Sequence, residues 1–369
     1  MLTFAAFGAV VGSHIGALPV ILKTSGVNPE FFGRTQAFAM LAALLAMGTA
    51  GYISRQFSHR MVMLVSIPVI LGVLIYALLV ASPGTYLISN LILAVSLSFL
   101  DLNMNAEGSD IEQEQQRPIF TSFHAALSII VAVAAIFSSY MSVNYAVWIP
   151  AFLAAVFLMW AFVLVYRFVP HRVPHAVDAD ASVPFPRGRL ALIGLAIGLS
   201  NSCEIAAMLW AGQLLAELAP ALAAYSGLGL AFFGLCGGVM RLFSDTLRKH
   251  FDDFSIVIVS LIVATAGFAI LGLRPGFGLS VAAFAAVGVG LGFSFPFLFA
   301  FAGRQAPLRR AAAMSFAGTV SGGPRFVFPW ILGLLATWYG ISAVFLFCTG
   351  LAFATLAMIV LVLRRMEMR

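Results

Sequence analysis

The chain has 369 residues, of which 62% are hydrophobic and only 9% charged. A water-soluble domain carries roughly 25% charged residues, so a soluble enzyme or binding module is excluded at once. The net charge of +6 does not point to nucleic acid, because basic residues in so apolar a chain mainly set orientation across a bilayer.

Apolar runs of about 20 residues, each long enough to cross a bilayer as a helix, recur from end to end. They predict twelve spans, over 2–22, 31–53, 61–81, 85–107, 118–142, 146–166, 190–215, 222–244, 254–273, 277–302, 311–335 and 340–363, of which the eighth and eleventh are the least clean. The first lacks a basic leader and carries His14, which reads as a retained span and not a signal peptide. Its "GAVVGSHIG" puts Gly8, Gly12 and Gly16 on one stripe, a pattern that permits close helix approach. The polar connection 167–189, "RFVPHRVPHAVDADASVPFPRGR", divides the chain into an N-terminal six-helix half, 1–166, and a C-terminal one, 190–369. "GYISRQFS" (51–58) and "GGVMRLFS" (237–244) share a G-x-x-x-R-x-F-S pattern, where a duplicated unit would place it. In the tenth and eleventh spans, "GVGLGFSFPF" and "SGGPRFVFPW" set Gly and Pro where backbone can kink or unwind beside a cavity.

Sixteen of the twenty Lys and Arg fall on the loops and span ends that share a side with the N-terminus. Lys23, Arg34 and Arg274 lie on the other side, and Arg325 lies mid-span. The positive-inside rule then puts both termini and the central linker in the cytoplasm. Cys203, Cys236 and Cys348 lie inside apolar runs with no metal-ligand spacing, and read as small buried hydrophobes. No cofactor or metal motif appears, and no Ser/His pair stands at catalytic spacing, so the chain reads as a non-enzyme.

Five of the fourteen acids crowd into "FLDLNMNAEGSDIEQEQQRPIFTSFH", residues 99–124. On a helix Asp101, Asn105 and Gly108 share one face, and Asn103 and Glu107 another. A charge inside a bilayer costs a few kcal/mol, so Asp101 either leaves the membrane early or faces a watery cavity, where it can take and release a proton. The run "GSDIEQEQQR" that follows reads as a solvated cytoplasmic loop. At about 1.5 Å per helical residue, Asp101 and His124 lie roughly 10 Å from the cytoplasmic ends of their spans. His14, Glu204 and Arg325 lie about 20–24 Å in. Glu204 and Arg325 read either as a structural ion pair or as solute contacts. The two histidines read either as packing residues or as functional ones.

The block "DLNMNAEGSDIEQEQQRPIFTSFHAALS" (101–128) resembles the D-x-x-M-N-x-x-G-x-x-x-E…R…H-x-x-x-S pattern of YbjJ-type transporters, distant relatives of the fucose permeases in the major facilitator superfamily. Asp101, Met104, Asn105, Gly108, Glu112, Arg117, His124 and Ser128 carry it. "CEIAAMLWA" (203–211) resembles the family's seventh-helix motif through Glu204 and Trp210, with Leu209 in place of its aspartate. Arg55 stands where the superfamily's loop motif has Asp, and Ser58 where it has Gly. By that resemblance the fourth-helix acid, here Asp101, serves in proton coupling.

These readings together imply an all-α polytopic membrane protein, monomeric, in the bacterial inner membrane. It would move a small polar solute, sugar-like or an organic anion, by alternating access coupled to protons. Asp101, Asn105 and His124 would handle the proton, and His14, Asn201, Glu204, Trp210 and Arg325 would line the solute site. Efflux of amphipathic compounds is an alternative, as is a membrane sensor or scaffold without transport.

Overall fold

The computed structural model describes residues 1–79, 81–116, 120–170 and 186–363, all helix or short connection, with no strand among them. The first six helices are α1 (Leu2–Thr24), α2 (Pro29–Gln56), α3 (His59–Leu79), α4 (Pro83–Gln115), α5 (Phe120–Asn144) and α6 (Trp148–Phe168). After the connection come α7 (Arg187–Leu218), α8 (Leu228–Leu247), α9 (Asp253–Gly272), α10 (Phe277–Gly292), α11 (Ser294–Arg304), α12 (Arg310–Tyr339) and α13 (Ile341–Met358). Residues 171–185 of the expected linker, and Arg117 of the 101–128 block, lie outside the described residues.

Local chemistry sets several of the ends. Asn28 caps α2 by accepting from the Phe31 amide at 2.8 Å, with Pro29 at the first helical position, where its missing N–H costs nothing. Asp252 caps α9 through the Ser255 amide at 2.9 Å. Gly340, at φ 81°, ends α12 in a conformation that a side chain would disfavour.

Ten helical segments are long and apolar enough to span a membrane among the described residues, α10 and α11 counting as one. The eighth and eleventh expected spans fall on α8 and α12, which do not meet that measure. Of these, α12 carries Arg325 and a Ser-Gly-Gly-Pro run in its middle.

One expectation changes and one holds. The segment 108–115 is not a loop, because α4 continues to Gln115. Glu and Gln favour helix, and no Gly or Pro follows Gly108 until Pro118. The tenth span is interrupted, with α10 ending at Gly292 and α11 starting at Ser294, where the Gly and Pro of "GFSFP" allow a break. By contrast α12 runs unbroken through Pro324 and Pro329.

Contacts divide the chain into two compact units, Met1–Val177 with Ala221–Ala231, and Asp178–Pro220 with Phe232–Arg369. The short 221–231 stretch joins the first through bonds such as Ser139 Oγ to the Ala224 carbonyl, 3.0 Å.

The first unit is cored by α1, α3, α4 and α6. Met63, Ile67, Ile70 and Val73 on α3 meet Ala154, Leu158, Ala161 and Val165 on α6 at helical spacing. The glycine stripe of α1 faces the α5 backbone: a Cβ on Gly8, Gly12 or Gly16 would strike the carbonyl of Leu127, Val131 or Ala135. The second unit repeats the device, since a Cβ on Gly194 or Gly198 of α7 would strike the carbonyls of Ala317 and Ser321 on α12. In each unit the first span packs on the fifth and the sixth, and the third on the fourth and the sixth. One packing scheme therefore serves both.

Candidate functional site

In the first unit the polar face of α4 is built as the residue spacing implies. Asn105 Nδ2 donates to Asp101 Oδ1 at 2.9 Å and to the Asp101 carbonyl at 2.8 Å. Both side chains are half-buried, and Asn105 Oδ1 is buried with no hydrogen-bond partner among the described residues. The other face of α4 is more enclosed. Asn103 bonds the His59 ring at 2.8 Å and donates to the Phe99 carbonyl at 2.8 Å, while Glu107, one turn on, is only 4% exposed. His124 is exposed on α5, its ring edge-on to Phe4 of α1 with centroids 5.3 Å apart.

His14 belongs to a different place. It lines a cavity of about 270 Å³ enclosed by α1, α3, α4 and α6 within the first unit. Close by, and unanticipated from the sequence, lies a buried polar cluster in which Gln36 Nε2 donates to the Tyr86 hydroxyl at 3.0 Å and to Asn90 Oδ1 at 3.3 Å. Its sequence signal was Gln36 and Asn90, amides within the apolar spans of α2 and α4.

The second unit gathers Asn201 and Glu204 of α7, Arg241 of α8 and Arg325 of α12. Glu204 accepts from Arg241 Nη2 at 2.9 Å. The same guanidinium donates through Nε to the Gly292 carbonyl at 3.2 Å, a group that the break between α10 and α11 leaves without its helical partner. Ser200 and Ser294 share a hydroxyl hydrogen bond of 2.7 Å at the same break. The expected structural pair of Glu204 with Arg325 is thus not formed, and the carboxylate is bonded to Arg241 instead. Glu204 is still near enough to Arg325 to interact with it electrostatically. Arg325 is half-buried, and its Nε, like Asn201 Oδ1, is buried without a hydrogen-bond partner among the described residues.

Trp210 does not line this site. It is 2% exposed, leaving almost no surface for a solute to touch. Sequence reasoning also missed Arg241, which stands in the repeated G-x-x-x-R-x-F-S pattern and was counted among the charges that set orientation.

Helices that repeat one packing scheme in two units, and hold ionic and amide side chains inside their spans, define the transporter class of multi-pass membrane proteins. The family description "Major Facilitator Superfamily" matches residues 1–327, and the chain belongs to that superfamily. An uncharacterized MFS-type transporter of Yersinia pestis is 23% identical over 296 residues, 76% of this chain and 76% of that protein. An uncharacterized transporter of Sinorhizobium fredii is 23% identical over 369 residues, covering 97% and 95%. Among solved structures, a variant of the nucleoside transporter NupG superposes with a TM-score of 0.77 at 17% identity, over 97% of this chain and 98% of the other. The human organic anion transporter MFSD10 superposes at 0.63 and 15%, over 97% and 98%.

Proposed function

We propose that the chain is a proton-coupled secondary transporter that works by alternating access between two six-helix halves, 1–166 and 190–369. Its solute is a small polar molecule with an anionic group. The observation that carries the solute class is the bonding of Glu204 to Arg241, which leaves the Arg325 guanidinium with donors to spare. A guanidinium binds carboxylate or phosphate through two parallel bonds, and Asn201 supplies an amide on the neighbouring helix. MFSD10 is an organic anion transporter, in keeping with such a solute, although its likeness here is one of fold.

Asp101 carries the proton. Its partner Asn105 suits both states, because a carboxyl keeps an accepting oxygen whether or not it is protonated. Ionised Asp101 accepts from the NH₂ group, as observed. Protonated on Oδ2, Asp101 still offers Oδ1 as a carbonyl acceptor, so the bonds from Asn105 Nδ2 to Oδ1 and to the Asp101 carbonyl both persist. His124, on the adjoining α5, acts on the same proton from its exposed position. The 101–128 block supports assignment to the YbjJ-type branch, and the charge split supports a bacterial inner membrane with both termini cytoplasmic.

The test is uptake into proteoliposomes of small carboxylates and phosphates, set against neutral sugars and nucleosides, with and without a pH gradient. Accumulation of an anionic solute that needs the gradient is expected. Transport confined to neutral solutes would overturn the solute class, and indifference to the gradient would overturn the coupling.

A further inference from the structure

The first unit closes on itself unevenly. On α3 the buried stripe ends at Val73, and on α6 it begins at Ala154. Past these points Leu74 and Leu78 on one side and Pro150 and Ala151 on the other line the cavity of about 270 Å³. The gap lies toward the outer face of the unit, where Leu78 is 39% exposed.

The two walls of this cavity differ in chemistry. The α3 and α6 side is apolar, whereas the α1 and α4 side presents Ser13, His14, Tyr86, Ser89 and Asn90. Among the described residues no Arg, Lys, Asp or Glu lines it, so a charged guest would find no counter-charge there, at a high desolvation cost. Ser89 is 5% exposed, and its hydroxyl is buried without a hydrogen-bond partner among the described residues. A buried hydroxyl left in that state is costly unless something else completes it.

We propose that this cavity is a second small-molecule site, complete within the first unit, for a neutral amphiphile with one hydroxyl or amide group taken from the lipid phase. The guest enters where α3 and α6 part. It lays its hydrocarbon body against Leu74, Leu78 and Pro150, and sets its polar group on Ser89 and His14. The volume is near the lower end for ligand pockets, which fits a chain of medium length and excludes a two-chain phospholipid. The site is independent of Asp101 and of the Glu204–Arg241 cluster, so it stands or falls apart from the transport reading.

The probe is a photoreactive diazirine derivative of 1-octanol, applied to the full chain in proteoliposomes, with the labelled residues mapped by mass spectrometry. Saturable labelling of His14 or Tyr86 is expected, displaced by excess 1-octanol. In Ala151→Phe, which fills the cavity from the α6 side, it should fall roughly ten-fold or more, as when most of a ligand's buried surface is displaced. Ser89→Val should weaken it several-fold with the apolar walls intact. Labelling that is not saturable, or is confined to outward residues such as Phe152 and Trp160, would overturn the proposal and leave the cavity to water. So would cavity labelling unchanged in both variants. The competition with 1-octanol in the wild-type protein decides the matter even if a variant fails to fold.

Discussion

The two units each hold a carboxylate inside a span, and they treat it differently. Asp101 of the first unit is bonded to a neutral amide, while Glu204 of the second is bonded to a guanidinium. Protonating Glu204 would discard a charge-assisted bond and strand the positive charge of Arg241. Protonating Asp101 on Oδ2 leaves its bond to the amide in place. The comparison teaches that a carboxylate's place in a mechanism follows from its partner more than from its depth in the membrane. On the proposed reading the mobile proton belongs to the first unit and the solute's charge to the second.

The largest effect should come from Arg325, which forms no ion pair among the described residues. Arg325→Leu is expected to weaken binding of an anionic solute by about 10- to 100-fold, the loss of a charge-assisted contact of ~1.5–3 kcal/mol. Neutralising Glu204 as well should not rescue it. Scintillation proximity binding on purified protein would read both, and unchanged affinity in the single variant would remove Arg325 from the site and blur the contrast between the units.

The shared packing can be broken next. Gly12→Val drives a side chain into the α5 carbonyl of Val131, and Gly194→Val does the same against Ala317 of α12. Each is expected to cost about 1–3 kcal/mol by overpacking, seen as a lower melting temperature in detergent. Similar losses in the two would support one scheme in both units. A large loss in one and none in the other would argue that the repeat is only superficial.

A smaller effect sharpens the role of the Glu204 pair. Glu204→Gln leaves Arg241 with no counter-charge, yet Arg241 is 45% exposed, so screening limits the cost to about 1 kcal/mol. The double variant Glu204→Gln with Arg241→Gln should recover part of that stability, because a matched removal leaves no lone charge. Thermal melts of the three variants give the coupling. Additive losses would mean that the pair is not a unit.

Much of this was legible in the sequence where one residue type can do only one thing. The stripe of Gly8, Gly12 and Gly16 announced a close helix contact, and the glycines and proline around Phe293 announced the break in the tenth span. The Asp101 and Asn105 spacing placed them one turn apart on a common face. Legibility failed where a one-dimensional depth stood in for direction. His14, Glu204 and Arg325 share a depth, but His14 turns into a cavity inside its own unit. Trp210 matched a motif and is nonetheless buried. Arg241 looked like one more orientation charge, since only the three-dimensional path of α8 brings it to Glu204. The acids of 108–115 looked like a loop because charge density was read as an exit from helix, whereas Glu and Gln extend a helix readily.

The central assignment, a proton on Asp101 and none on Glu204, is tested most directly by Asp101→Asn in proteoliposomes, with counterflow exchange and pH-driven accumulation measured in the same preparation. The substitution keeps the shape and hydrogen bonding of a protonated carboxyl and removes the charge. The account predicts counterflow close to wild type together with loss of accumulation under an imposed pH difference. Accumulation at the wild-type level would contradict it and pass the proton to another group.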